Sequence, residues 1–93
     1  MRPDATVRQS PDVVARPLAE GEGGVLLHLT TGAYFEINPV GLLIWELIDG
    51  ERTIDGLVTA LSEQVSGGPP DLRDDVVAFL ERASERRLLA VDA

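Results

Sequence analysis

Residues Thr31 to Gly50 read TGAYFEINPVGLLIWELIDG, and this stretch decides the fold. Ala33 to Ile37 is rich in aromatic and β-branched residues. It alternates Ala33, Phe35 and Ile37 against Tyr34 and Glu36, the period-two pattern of a strand with one buried face. Asn38 and Pro39 end that strand. Asn is a favoured N-cap whose side-chain oxygen takes an orphan amide of the first turn, and Pro at the first helical position has no amide to leave unpaired. A first helix is therefore predicted from Pro39 to Asp49, with Val40, Leu43, Ile44, Leu47 and Ile48 in one stripe and Asp49-Gly50 as its stop. Leu42 and Trp45 fall outside the stripe. A helix apolar on more than one side belongs between layers, so Trp45 is expected in the core.

Working outward toward the N-terminus, Thr31-Gly32 fits a tight hairpin, and Val25 to Thr30 (VLLHLT) has the composition of its other strand. Gly21 to Gly24 is a turn, and Val13 to Arg16 a short edge strand closed by Pro17. Met1 to Pro11 carries two prolines and several charges without periodic apolar positions, and is expected to be a flexible arm, leaving 12–93 as a single domain. Toward the C-terminus, Thr53 caps a second helix from Ile54 to Val65, with Ile54, Leu57, Val58, Leu61 and Val65 on one face. Gly67-Gly68-Pro69-Pro70 breaks it. Asp71 caps a third helix from Leu72 to about Arg87, with Leu72, Val76, Phe79, Leu80 and Ala83 toward the core, acids in its first turn and Arg86-Arg87 in its last. Leu88 to Val91 ends as a short extended piece. The predicted class is α+β: a winged-helix-like domain with a three-stranded antiparallel sheet followed by three helices.

Composition narrows what such a domain does. Ninety-three residues, 44% of them hydrophobic, support one modest and mostly aliphatic core. Sixteen acids against eight bases give a net charge of −8, which repels a phosphate backbone and an anionic membrane surface and favours a cationic peptide or protein partner. The chain has no cysteine and one histidine, His28, so no thiolate or paired-His metal site is expected and no cofactor is implied. The first twelve residues lack the apolar core of a signal peptide, and the longest apolar stretch, near Val40 to Ile48, is far short of a membrane span; the expected location is the cytoplasm.

No enzyme signature is present. Asp74-Asp75 sits at a helix start as a dipole partner, and no serine has a histidine base nearby in sequence. The glycine-rich pieces GEGG and GGPP lack the lysine and strand-to-helix context of a phosphate loop, and neither Ser62 nor Ser66 has the setting of a phosphopantetheine carrier.

From Val25 to Val91 the order and spacing of the pieces resemble the PqqD-like proteins, also called RiPP recognition elements, which bind leader peptides of ribosomally made precursors. The resemblance rests on TGAYFEINPVG, then LLIWELIDG, then RTIDGLVTAL, and a closing amphipathic helix, DDVVAFLERASERRLL. Coenzyme-pathway members have a different strand, with a tryptophan and a Leu-Pro-Glu-like turn, so TGAYFEIN looks more like the stand-alone leader-binding proteins of lasso-peptide pathways. The resemblance implies a module that takes the leader as an extra strand beside Ala33, Tyr34, Phe35, Glu36 and Ile37, in a groove against the third helix. An open strand edge suits this mode, giving affinity through main-chain bonds and specificity through alternate side chains.

On that helix the expected contacts are Arg73, Asp74, Val77, Leu80 and Glu81. Val77 is an apolar residue off the core stripe, though packing against Leu88 or Leu89 would account for it equally well. Asp74 and Glu81 flank the same side, either to pair with basic residues of a leader or as solvated surface carboxylates, which more often contribute nothing measurable. Phe35 is expected in the core with a rim in the groove, and Tyr34 outside the core.

The implied partners are a precursor leader peptide, a separate leader peptidase of the transglutaminase-like cysteine protease type, and a cyclase. A homodimer through the open edge stays open. Two alternatives remain: a chaperone of the PqqD type for a radical enzyme in coenzyme biosynthesis, and a winged-helix DNA-binding regulator. Against the latter, the second helix, TIDGLVTALSEQV, has no Arg or Lys.

Overall fold

The structure, a computed structural model, describes residues 4–64 and 72–92. In chain order the elements are β1 (Thr6–Gln9), β2 (Val13–Pro17), β3 (Gly24–His28), β4 (Tyr34–Ile37), α1 (Pro39–Leu47), α2 (Ile54–Gln64), α3 (Leu72–Glu85) and β5 (Leu89–Asp92). The strand-to-helix switch is built as its residues demand: Asn38 Oδ1 accepts a hydrogen bond from the Gly41 N–H at 2.7 Å, and Pro39 opens α1. Thr53 Oγ1 likewise accepts from the Gly56 N–H at 3.0 Å and starts α2. The expected Asp71 cap, the Gly67–Pro70 breaker and the end of helix two at Val65 lie outside the described residues.

The strands β2, β3 and β4 form a three-stranded antiparallel sheet in that order, so the predicted α+β architecture of sheet followed by three helices is present. The hairpin between β3 and β4 is wider than a two-residue turn. His28 N–H donates to the Ala33 carbonyl at 2.9 Å, enclosing residues 29–32, and Gly32 takes φ +76°.

Cross-strand register sorts the side chains into two faces. Ala15, Leu26 and Phe35 line up on the face toward the helices, and Val14, Leu27 and Tyr34 on the outer one. Leu26 is fully buried whereas Tyr34 is 66% exposed. Beneath the inner face pack Ile44, Trp45 and Leu47 of α1, Leu57 and Leu61 of α2, and Val76, Phe79 and Leu80 of α3, with Trp45 in the core as expected.

One expectation is overturned. The N-terminal residues read as a flexible arm contain β1, which pairs antiparallel with β5 from Thr6↔Asp92 to Gln9↔Leu89. Val7 is 1% exposed and Ala5 is buried with it. The other side of β1 is closed by the turn after α1, through Gly50 N–H to the Val7 carbonyl at 3.0 Å, Val7 N–H to the Arg52 carbonyl at 3.3 Å, and Ile54 N–H to the Ala5 carbonyl at 3.0 Å. Asp49 shapes that turn by accepting from the Arg52 N–H (2.8 Å) and the Glu51 N–H (2.9 Å), and these two bonds hold its carboxyl below the ordinary value. The boundary of the packed unit therefore lies before Ala5, and Met1 to Pro3 fall outside the described residues.

Candidate functional site

β4 is an edge strand: it pairs with β3 on one side, and among the described residues no strand lies on the other. In an antiparallel pair the residues that exchange hydrogen bonds alternate with those that do not. The bond from His28 to Ala33 places Ala33, Phe35 and Ile37 on the bonded set facing β3. The N–H and C=O groups of Tyr34 and Glu36 then point outward along the open edge.

Across that edge stands α3. Between them lies a groove of about 520 Å³. β4 contributes Tyr34 to Ile37, with Asn38 at their end. α3 contributes Phe79, Arg82 and Ala83, and Arg86, the first residue past its end, continues the same stripe at i, i+3, i+4 and i+7 with its N–H donating to the Arg82 carbonyl, while Leu26 and Leu88 complete the apolar floor. Phe35 keeps a half-buried rim in the groove, as expected from sequence. The Arg86 guanidinium lies 4.6 Å from the centroid of the Phe35 ring, a cation–π contact joining the two walls. A second cavity of about 200 Å³ adjoins the first through Asn38, Phe79 and Arg82 and reaches Gly41 and Ile44 of α1 and Asp75 of α3.

Two glycines let these walls approach. A Cβ on Gly23, whose φ is +83°, would lie 2.1 Å from the Ile37 carbonyl oxygen, so only glycine lets the β2–β3 turn pass behind the end of β4. A Cβ on Gly41 would meet side-chain atoms of both Phe79 and Ile37 at 3.3 Å, a spacing that draws α1, β4 and α3 together at the end of the groove.

Of the residues singled out in the sequence, Tyr34, Phe35, Glu36 and Ile37 line the groove. Ala33 does not line it, and its carbonyl accepts from the His28 N–H on the side of β3. The helix residues come out elsewhere. Arg73 pairs with Asp55 on the side of α3 that faces α2, and Val77 packs half-buried against the core one turn further along that flank. Leu80 is 0% exposed and belongs to the core. Neither Asp74 nor Glu81 lines either cavity. The groove wall is instead the opposite flank of the core stripe, about 180° around the helix from Arg73 and Val77, and Arg82 and Arg86 there were not singled out in the sequence. Their spacing of four beside Phe79 and Ala83, in a chain so rich in acids, was the available signal.

Comparison with known proteins then decides the family. Residues 23–89, more than half of the chain, match the family model described as Coenzyme PQQ synthesis protein D (PqqD). The chain belongs to the PqqD family. Among curated relatives, a PqqA binding protein of Pseudomonas fluorescens (strain Pf0-1) is 34% identical over 71 residues, covering 76% of this chain and 75% of that one. A PqqA binding protein of Pseudomonas putida (strain W619) is 36% identical over 62 residues, 67% of this chain and 65% of its own. Among solved structures, TbiB1 in complex with the TbiA(beta) leader peptide superposes with a TM-score of 0.72 at 32% identity, over 88% of this chain and 93% of TbiB1. The PqqD truncation of Methylobacterium extorquens PqqCD, described as a stand-alone RiPP recognition element, shares the fold with a TM-score of 0.72 at 21% identity, covering 97% and 99% of the two chains. PqqD-family proteins are non-catalytic, peptide-binding proteins. Among the described residues no helix is long and apolar enough to cross a membrane.

Proposed function

We propose that this PqqD-family chain binds the leader segment of a ribosomally made precursor peptide as an added strand along β4, and presents it to a separate leader peptidase. The observation that carries this reading is the unfilled edge of β4, with the backbone groups of Tyr34 and Glu36 turned toward a groove walled by α3. Two residues supply two donors and two acceptors. At about 0.5–1.5 kcal/mol net for each bond, four such bonds contribute roughly 2–6 kcal/mol. Micromolar affinity needs about 8 kcal/mol after the cost of association, so backbone pairing alone does not suffice. A leader side chain entering the floor formed by Leu26, Phe79 and Leu88 adds about 1.5–3 kcal/mol and makes recognition selective.

Among pathways, the lasso-peptide reading is supported by the 32% identity to TbiB1, whose structure holds a leader peptide, and by the TGAYFEIN strand. On that reading the peptidase is of the transglutaminase-like cysteine protease type, and a cyclase acts on the released core. The PqqA binding proteins at 34–36% identity favour a second reading, a partner of a radical enzyme in coenzyme biosynthesis. The deciding experiment is fluorescence anisotropy of labelled leader peptides from precursors encoded beside the gene. Dissociation constants in the sub-micromolar to micromolar range are expected, and failure of every such precursor to bind the folded protein would sink the proposal. A neighbouring asparagine-synthetase-like gene points to the lasso branch, a radical-enzyme gene to the other. Measuring mass in solution with and without peptide tests whether a homodimer competes for the same edge.

A further inference from the structure

We propose that the groove selects a peptide bearing a carboxylate, held by Arg82 and Arg86, next to the apolar side chain that enters its floor. This rests on the peptide-binding reading above and concerns what the site prefers. The chain has eight arginines, no lysine and a net charge of −8, yet two of those arginines stand one helical turn apart on the same groove wall. Among the described residues Arg8, Arg52 and Arg73 each hold a carboxylate, of Asp92, Asp49 and Asp55 respectively, whereas neither Arg82 nor Arg86 is in an ion pair.

Arg86 is pre-placed. Its guanidinium rests 4.6 Å from the Phe35 ring centroid, which holds the charge over the groove without neutralising it. Arg82 borders both the main cavity and the smaller one, at the point where a strand lying along β4 passes the end of that strand. The acids that face the same space are Glu36 on the main groove and Asp75 on the smaller cavity, and neither is bonded to the two arginines.

The planar forks of Arg82 and Arg86 match a carboxylate with two N–H···O bonds apiece, in a cleft partly shielded from water by Phe35, Phe79 and Leu88. Long-range attraction and local choice therefore point in opposite directions. The overall field draws in a cationic peptide, while the groove itself holds an acidic residue.

The test uses the full-length protein and fluorescein-labelled leader peptides of the precursors encoded beside the gene, with each Asp or Glu changed in turn to its amide. One amide replacement is expected to weaken binding about tenfold, the others less than twofold. In Arg86→Gln protein that same replacement should cost less than about threefold, because its partner is already gone. Arg86→Lys, which keeps the charge but not the fork, should fall between the two. If all amide peptides bind as the parent does, or if the loss is undiminished in Arg86→Gln, the carboxylate preference is overturned while peptide binding stands. If no parent peptide binds the folded protein, both fall together.

Discussion

The outer edges of β1 and β4 are built from the same kind of backbone groups and are treated in opposite ways. Along β1 the turn after α1 occupies the edge, with bonds from Gly50 to Val7, from Val7 to Arg52 and from Ile54 to Ala5. Along β4 the groups of Tyr34 and Glu36 face a groove instead. An uncovered edge invites pairing with foreign strands, and proteins commonly cover, charge or twist it away. This chain closes one edge with its own turn and leaves the other open beside an apolar floor, so the open one reads as a place kept for another polypeptide.

Breaking the closed edge should have the largest effect. Val7→Pro removes the donor to the Arg52 carbonyl at a buried position, and a loss of about 2–4 kcal/mol in urea-determined stability is expected. A near-neutral result would mean that the β1 edge is not part of the packed unit. Gly23→Ala should follow, at about 2–3 kcal/mol, from positive φ and the clash with the Ile37 carbonyl, and should lower leader affinity too by displacing the end of β4.

The open edge should respond in the reverse sense. Glu36→Pro removes an outward-pointing N–H, so thermal melting is expected to shift little while leader binding, followed by anisotropy, weakens by about 1–2 kcal/mol. Equal damage to stability would show that the edge is not free. Val77→Glu tests the flank of α3 away from the groove: a stability loss of about 1 kcal/mol with unchanged leader affinity is expected, and a binding defect without destabilisation would return the site to that flank.

The smallest effect concerns the turn that closes β1. The folded carboxyl of Asp49 titrates below 3.8, first through the Arg52 N–H and then through the Glu51 N–H. Its contribution is thus complete above that ordinary value and lost as pH falls through the lowered folded one. Asp49→Asn should flatten a slight acid limb in stability on the acid side of the ordinary carboxylate value, read as the midpoint of urea unfolding, because the wild-type proton uptake is absent. No difference between the two proteins across that range would remove the carboxylate from the closure of the turn.

The strand wall of the groove was legible in the sequence, whereas its helix wall was not. Tyr34 to Ile37 alternate as a strand, Asn38 and Pro39 announce the helix, and the core stripe of α3 falls at Leu72, Val76, Phe79, Leu80 and Ala83 as its spacing requires. Phe79 and Ala83 were visible as core residues, but not as the floor and wall of a groove. Arg82 and Arg86 resembled the ordinary basic end of a helix, which the macrodipole already accounts for.

By itself the sequence determined the local elements and their order, because caps, turns and apolar periods are set by groups within a few residues of one another. The tertiary structure alone decided two things. One is that Thr6 to Gln9 is a strand, since its partners are Leu89 to Asp92 at the other end of the chain and no short-range pattern records that pairing. The other is which flank of α3 looks onto β4. Successive helix residues are about 100° apart, so Arg73 and Val77 stand about 180° around α3 from Arg82 and Arg86, on opposite flanks of the core stripe, and only packing against α1 and α2 decides which of the two flanks meets β4.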